Sequence, residues 1–439
     1  MLTQLSKPLV IFVEKYLPDP FVFVLVLTCI TIASAIFIEH RLLIDVIKYW
    51  GDGFWELLSF SMQMLLILVN GYLLANTTAV QAGLSRLSFR IHTPSQAIIL
   101  VSLVSLFSSW INWGFGLVIS AFFAKSIAGH VKVDYRLLVA SAYSGFLVWH
   151  GGLSGSIPLV IASEGHIFAE AIGVIPTSET IFSTFNLTLV AALFVIIPLV
   201  NRLMLPKASE SVYVIQKMAA EAVDPKQVEM VPSHLKGRNL EKSKILSYFI
   251  VILGSVYLFM YVKGVGDLNL NIINFTLFML SILLYKSPYH LIKAMKPAVS
   301  SGSGVVLQFP FYAGIMSVMT KSGLAADFSS WMINFATHDS FITWSFLSAG
   351  LVNFFIPSGG GQWIVQAPIL IPAAEALDVD IARMAMSVSW GDAWTNMVQP
   401  FWALPILAIA GLNAKDIMGF CLMQLIITGM VMILCLNLI

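Results

Sequence analysis

Apolar runs near the length of a bilayer-crossing helix recur from one end of this chain to the other, and no water-soluble fold has room to bury them all. They fall at residues 21–38, 57–74, 97–111, 185–204, 245–262, 272–284, 305–319, 341–356 and 417–438. A spanning helix needs about 20 mostly apolar residues, so each run reads as a span or as part of a broken one. Of the 439 residues only 11% are charged and 58% are hydrophobic, whereas soluble proteins carry roughly 25% charged residues. Too little polar surface is left to face water. The expected fold class is all-α, a polytopic bundle of one large membrane body in contact with the lipid bilayer.

A formal net charge of +1 offers no basic face to neutralise rows of phosphates, so no nucleic-acid partner is expected. Cys29, Cys421 and Cys435 lie inside apolar runs without paired spacing, which argues against a disulfide framework or a zinc site. No metal and no cofactor is expected, apart from a coupling ion. Residues 1–19 carry Glu14 and Lys15 and are followed by no small-residue cleavage site, so a removed signal peptide is not expected. Lys7 and Lys15 before the first run, with Arg86 and Arg90 after the second, suit a cytoplasmic N-terminus.

Residues 207–244 hold twelve charged residues, seven of them basic, and the prolines Pro225 and Pro232. This segment reads as a solvated cytoplasmic linker, and it divides the chain into residues 1–204, a linker at 205–243, and residues 244–439. The two outer parts read as repeats. Gln63 precedes Gln308 by 245 positions, Gly83-Leu84 precede Gly323-Leu324 by 240, Asn112 precedes Asn353 by 241, and Pro158 precedes Pro405 by 247. Four landmarks in one order at nearly one offset point to duplication. The run at 245–262 is then an extra span, which would let the second half enter the membrane in the opposite sense.

Corresponding interrupted apolar segments mark the binding sites of secondary transporters. Four such breaks occur, at 112–116, 150–158, 357–372 and 395–405. The third opens with Pro357, Ser358, Gly359, Gly360, Gly361 and Gln362, whose bare N–H groups are read as an anion nest, followed by a helix starting near Gln362. A carboxylate is the natural guest. The first break, with Asn112, Gly114 and Gly116, is its counterpart. Asn112 and Asn353 each offer an amide oxygen of the kind sodium prefers, although an interhelical hydrogen bond explains a membrane asparagine equally well. The other pair of breaks offers Ser154 and Ser156 on one side and Thr395, Asn396 and Gln399 on the other, as expected where half-helices aim their ends at a shared ligand, or where small residues simply let helices pack.

Asp392 is an ionisable group at membrane depth and so a candidate for proton or cation coupling, unless it lies at the membrane edge. His150 invites the same thought, yet a lone histidine is more often a hydrogen-bonded bystander. No Lys or Arg lies near the breaks, which favours a small monoanion over a multiply charged one. Trp113, Trp363, Trp394 and Phe401 are candidates to wall an aliphatic tail, although such rings more often pack between helices. Gly152-Leu153-Ser154-Gly155 matches a short pattern of intramembrane serine proteases, which would also need a base within reach of Ser154.

Five longer motifs, 50–55, 111–117, 308–315, 357–361 and 399–405, together resemble the short-chain fatty acid transporter family of the AtoE type, over essentially the whole chain. The resemblance implies multi-pass uptake of short monocarboxylates such as acetoacetate or butyrate across a bacterial inner membrane. It also implies membership of a superfamily of ion-coupled transporters, built from two inverted repeats with re-entrant hairpins and unwound helices and working as elevators. The four breaks would then be two hairpin tips and two unwound helices, and sodium or protons would supply the drive. Elevator proteins are often homodimers, but nothing in the sequence demands one. Two positions depart from the pattern the resemblance implies, with His150 in place of a glycine and Asp392 in place of a glutamate.

Overall fold

A computed structural model describes residues 20–162, 166, 168–206, 213, 238–264, 270–300, 302–356 and 359–438. The described residues are helical, with no strand among them. The first part of the chain forms α1 (Pro20–Phe37), α2 (Leu43–Gly53), α3 (Leu58–Ala75), α4 (Thr78–Ser88), α5 (Pro94–Ile111), α6 (Trp113–Ala128), α7 (Tyr135–Ser144) with a 3-10 turn Gly145–Val148, α8 (Ser156–Ile161) and α9 (Thr184–Leu203). After the peripheral α10 (Lys244–Lys263) come α11 (Leu270–Tyr285), α12 (Pro288–Ser300), α13 (Ser303–Ser322), α14 (Leu324–Ile333), α15 (Phe341–Asn353), α16 (Gly359–Ala376), α17 (Ile381–Asn396), α18 (Pro400–Ala410) and α19 (Ala414–Leu438). Every apolar run named above became a helix. Apart from two one-turn helices, Ala169–Ile172 and Arg238–Glu241, the elements before and after α10 run in the same order of long and short helices, α1 to α9 and α11 to α19.

Local chemistry sets the ends. Thr93 and Gln96 form a capping box at the start of α5, with Pro94 in its first turn. Asp134 caps α7, Ser183 caps α9 and Asp380 caps α17, each accepting from a backbone N–H of the first turn. Gly323 (φ 103°) and Gly411 (φ 70°) end α13 and α18 in the left-handed region, where a side chain would be strained. Pro368 and Pro372 lie within α16. The break expected over 357–372 therefore does not extend into residues 359–372, which are helical. Interior prolines are tolerated in apolar bundles because neighbouring groups take up the freed carbonyls.

The packing exchanges elements between the two parts. In the first half α1 and α2 lie against α13 of the second, and in the second half α11 and α12 lie against α3 of the first. The helices next to the breaks repeat this habit, α8 packing on α16 and α18 on α6. Two helical hairpins, α5–α6 and α15–α16, are closed at their bases. His130 bridges to the Ser88 carbonyl (2.8 Å) ahead of α5, and His338 bridges to the Leu377 carbonyl (2.7 Å) after α16. Burial separates the centre from the rim: 56% of the apolar window of α19 is buried but only 11% of that of α10. The linker expected at 205–243 lies mostly outside the described residues, as do residues 1–19.

Candidate functional site

Asn112 is the hinge of the first hairpin. It alone separates α5 from α6, in extended conformation (φ −155°, ψ 123°). Its Oδ1 accepts from the Phe115 N–H at 2.9 Å, which caps α6. The amide oxygen read as a cation ligand is thus committed to the helix, and the free group is Nδ2, which has no partner among the described residues. Gly114 and Gly116 belong to the first turns of α6. Gly116 is needed for close approach, since a Cβ there would run into the side chain and backbone of Ser109 on α5.

The second break follows the 3-10 turn and is stitched to the first hairpin. The Trp113 N–H donates to Ser154 Oγ (3.1 Å), the Leu153 N–H to the Trp110 carbonyl (2.8 Å), and Trp110 Nε1 to the Gly151 carbonyl (3.1 Å). Asn186 of α9 donates to the same Gly151 carbonyl (2.9 Å) and accepts from Trp390 Nε1 (3.1 Å). Its part in the site was not legible, because a lone asparagine near a helix start carries no signature.

His150 joins the halves. It is fully buried, with Nδ1 2.8 Å from the Ser389 carbonyl and Nε2 2.8 Å from Ser156 Oγ. A carbonyl only accepts, so Nδ1 carries a proton, and when the ring is neutral Nε2 accepts from the serine. Asp392 Oδ1 lies 3.5 Å from Nδ1, a near approach rather than a hydrogen bond. The tip of the second hairpin presses on this pair: a Cβ on Gly359 would collide with the His150 ring and come within 2.5 Å of Ser156 Oγ. Gly359, Gly360 and Gly361 form the first turn of α16, not a loop ahead of it. Ser358 lies outside the described residues.

The fourth break closes the ring. Asn353, the last residue of α15, donates through Nδ2 to the Asp392 carbonyl (2.8 Å), Thr395 Oγ1 (2.9 Å) and Asn396 Oδ1 (2.7 Å). Asn396 Nδ2 donates to Asp392 Oδ1 (3.2 Å), and Gln399 Nε2 donates to the Asn353 carbonyl. Gln362 Nε2 donates to the Ala349 carbonyl (2.8 Å) on α15. With these bonds made, Asn353 Oδ1, Gln362 Oε1, Asp392 Oδ2 and Gln399 Oε1 are buried and have no partner among the described residues. A buried acceptor left in that condition costs about 1–3 kcal/mol.

Beside the first two breaks stands an aromatic cluster of Trp113, Phe146, Trp149 and Trp402. Trp113 meets Trp402 edge-on at 5.6 Å, Phe146 stacks on Trp149 at 5.7 Å, and Phe146 lies 5.3 Å from Trp402. Of the residues expected to wall a tail whose side chains are described, Trp113 alone is found here. Trp363 packs on Phe168, and Trp394 packs on Phe346 and donates to the Leu425 carbonyl. The side chain of Phe401 lies outside those described. An apolar groove lined by Phe54, Trp55, Val306 and Pro310 lies among α2, α3 and α13, on elements that carry none of the breaks.

Known proteins fit this picture. A family model described as short chain fatty acid transporter matches residues 1–439. A protein of Escherichia coli (strain K12), named "Putative short-chain fatty acid transporter", is 41% identical over the full length of both chains. One of the same name from Haemophilus influenzae is 39% identical over 99% of each. Among solved structures, the Alcanivorax borkumensis YdaH transporter aligns with 95% of this chain and 98% of its own at 14% identity and a TM-score of 0.48. Neisseria gonorrhoeae MtrF aligns with 98% and 96% at 15% identity and a TM-score of 0.42. Those scores are too low to bear on the site, whereas the match over the whole sequence is decisive: this chain belongs to the short chain fatty acid transporter family.

Proposed function

We propose that the protein is a secondary active transporter that takes up short-chain monocarboxylates, such as acetoacetate or butyrate, across a bacterial inner membrane and couples that uptake to an ion gradient. The observation that carries this reading is the linking of the four helix breaks: the first is stitched to the second through Ser154, and the second meets the third and fourth at His150, Ser156 and Asp392, where buried polar groups face one another across the two halves. Helix N-termini and small hydroxyls suit a carboxylate. Asn112 Nδ2, the Gly114 N–H of α6, the Gly359 and Gly360 N–H groups of α16 and the Ser154 hydroxyl would hold the head group, and the cluster of Trp113, Phe146, Trp149 and Trp402 would meet a short tail. The names borne by the relatives agree with that substrate class.

The exchange of α1 and α2 for α11 and α12 between halves is what two inverted repeats produce, and it supports a multi-pass arrangement in which α5–α6 and α15–α16 are re-entrant hairpins. Alternating access would follow from the hairpins and broken helices moving as one unit against the other helices. The competing reading, a membrane-embedded hydrolase using Ser154, lacks its base: His150 pairs with Ser156, and Ser154 Oγ accepts from a backbone N–H.

Counterflow in proteoliposomes, with labelled butyrate and acetoacetate and with or without sodium, tests the proposal. Exchange of either acid that saturates is the expected result. Movement of doubly charged acids alone would overturn the substrate class.

A further inference from the structure

Ser156 gives its hydroxyl proton to a base that the transport reading leaves without a task. Its Oγ lies 2.8 Å from His150 Nε2, while Nδ1 of the same ring lies 2.8 Å from the Ser389 carbonyl and 3.5 Å from Asp392 Oδ1. The carbonyl keeps the hydrogen on Nδ1, which leaves the lone pair of Nε2 for the serine. Stacking on Trp149, with ring centroids 3.6 Å apart, stops the ring from turning. Nucleophile, base and orienting group thus stand in the order that serine-dependent acyl transfer requires. Asp392 Oδ2 is buried with no partner among the described residues, so the carboxylate has capacity to meet a charge that develops on the imidazole. Burial grades the set: His150 and Asp392 are fully buried and Ser156 is partly exposed. The attacking oxygen is therefore the member within reach of a ligand. A Cβ on Gly359 would lie 2.5 Å from Ser156 Oγ, and one on Gly360 would meet nothing within 4 Å, so the start of α16 lies against the serine with open space beside it. N–H groups that suit the head group of an acid suit the oxyanion formed from its ester equally well.

We propose that Ser156 and His150 form a nucleophile and base pair that cleaves esters or thioesters of short-chain acids, an activity additional to transport. It rests on the transport reading at one point, the accommodation of a short acyl group beside α16. Ser156 Oγ attacks the acyl carbon while His150 Nε2 takes the hydroxyl proton. The bond from that carbon to the leaving oxygen or sulfur then breaks, and Nε2 returns the proton to the departing alcohol or thiol. Water repeats the sequence on the acyl-serine, giving a proton to Nε2 and releasing the short acid, with Ser156 restored. Nothing is oxidised or reduced. Ser389 and Asp392 are positioning residues, the carbonyl by fixing the tautomer and the carboxylate by balancing the ring while it is charged. Ser154 is no rival nucleophile, because its Oγ accepts from the Trp113 N–H and the base faces Ser156. The acid released is of the class that the transport reading assigns to this site.

The test uses the purified full-length protein in lipid nanodiscs. It is exposed to p-nitrophenyl butyrate and, separately, to a small alkyl fluorophosphonate, with mass spectrometry of the whole chain and of its peptides. The expected result is release of nitrophenolate above the rate in empty nanodiscs, together with a phosphonyl adduct located on Ser156. Saturating butyrate should slow both, since it fills the same site. Ser156→Ala should abolish the adduct, and His150→Gln should slow its formation by about 100-fold or more, the contribution expected of a general base. If either variant does not fold, the position of the adduct in the unaltered protein decides. Counterflow of butyrate is measured in proteoliposomes from the same preparation. An adduct on Ser156 without exchange of any short acid would uphold the nucleophile and defeat the transport reading. Saturable exchange with no adduct on Ser156, or with labelling at full rate in the His150 variant, would uphold transport and overturn the pair.

Discussion

Two neighbouring glycines in the first turn of α16 make a paired test of how the second hairpin seats. A methyl group on Gly359 has nowhere to go, because a Cβ there meets the His150 ring and Ser156 Oγ. That ring cannot yield, being bonded at both nitrogens (2.8 Å each) and stacked on Trp149 with centroids 3.6 Å apart. Overpacking of this kind costs about 1–3 kcal/mol, and displacing Ser156 forfeits a hydrogen bond worth roughly 1 kcal/mol more. The helix itself gains at most ~1 kcal/mol from Gly to Ala, so the net sign is unfavourable. At Gly360 no atom lies within 4 Å of the added Cβ, and only the helical gain remains. Gly359→Ala should therefore lower the melting temperature and slow counterflow by about 5–100-fold, at ~1.4 kcal/mol per tenfold. Gly360→Ala should match or exceed the unaltered protein in stability. Equal behaviour of the two variants, whether both tolerated or both damaged, would refute the seating of the hairpin on His150.

Three further outcomes are expected. Burial, followed by the adjoining Asp327 carboxyl, raises the pKa of Glu39 in the α1–α2 loop above its ordinary 4.5. The stability it lends is thus complete below that pH and fades as the pH rises through the raised value; Glu39→Gln should flatten the dependence in melting curves and be the more stable protein near neutrality. Tyr143→Phe removes the hydroxyl that donates to the Asn396 carbonyl at 2.6 Å and should destabilise by about 1–3 kcal/mol, read by thermal unfolding. Trp402→Leu opens the aromatic cluster, so competition assays should show longer unbranched acids gaining on butyrate.

Much of the framework was open to reading because hydrophobic runs and helix breakers act locally. The nine runs became helices, and the landmarks Gln63 and Gln308, or Asn112 and Asn353, fall on matching elements. What escaped depends on contacts distant in sequence. Three consecutive glycines signal a break when considered alone, since each weakens a helix by about 1 kcal/mol; at Gly359 the packing against His150 needs a residue without a side chain inside a helix. Pro368 and Pro372 misled for the same reason. Asn112 and Asn353 look equivalent on the page, yet a backbone N–H holds one by its oxygen and three acceptors hold the other by its nitrogen. Trp363 and Trp394 were as plausible as Trp113 for the tail, and only tertiary packing separates them.

The trading of helices between the halves has a cost during synthesis. α3 leaves the ribosome with its neighbours α11 and α12 still unmade, roughly 200 residues later in the chain. At ~5–20 residues per second that is a wait of roughly 10–45 s. The nascent first half must stay in the bilayer for that time with lipid or an insertion chaperone against the flank its partners will cover. Each half then leaves a flank that only the other covers.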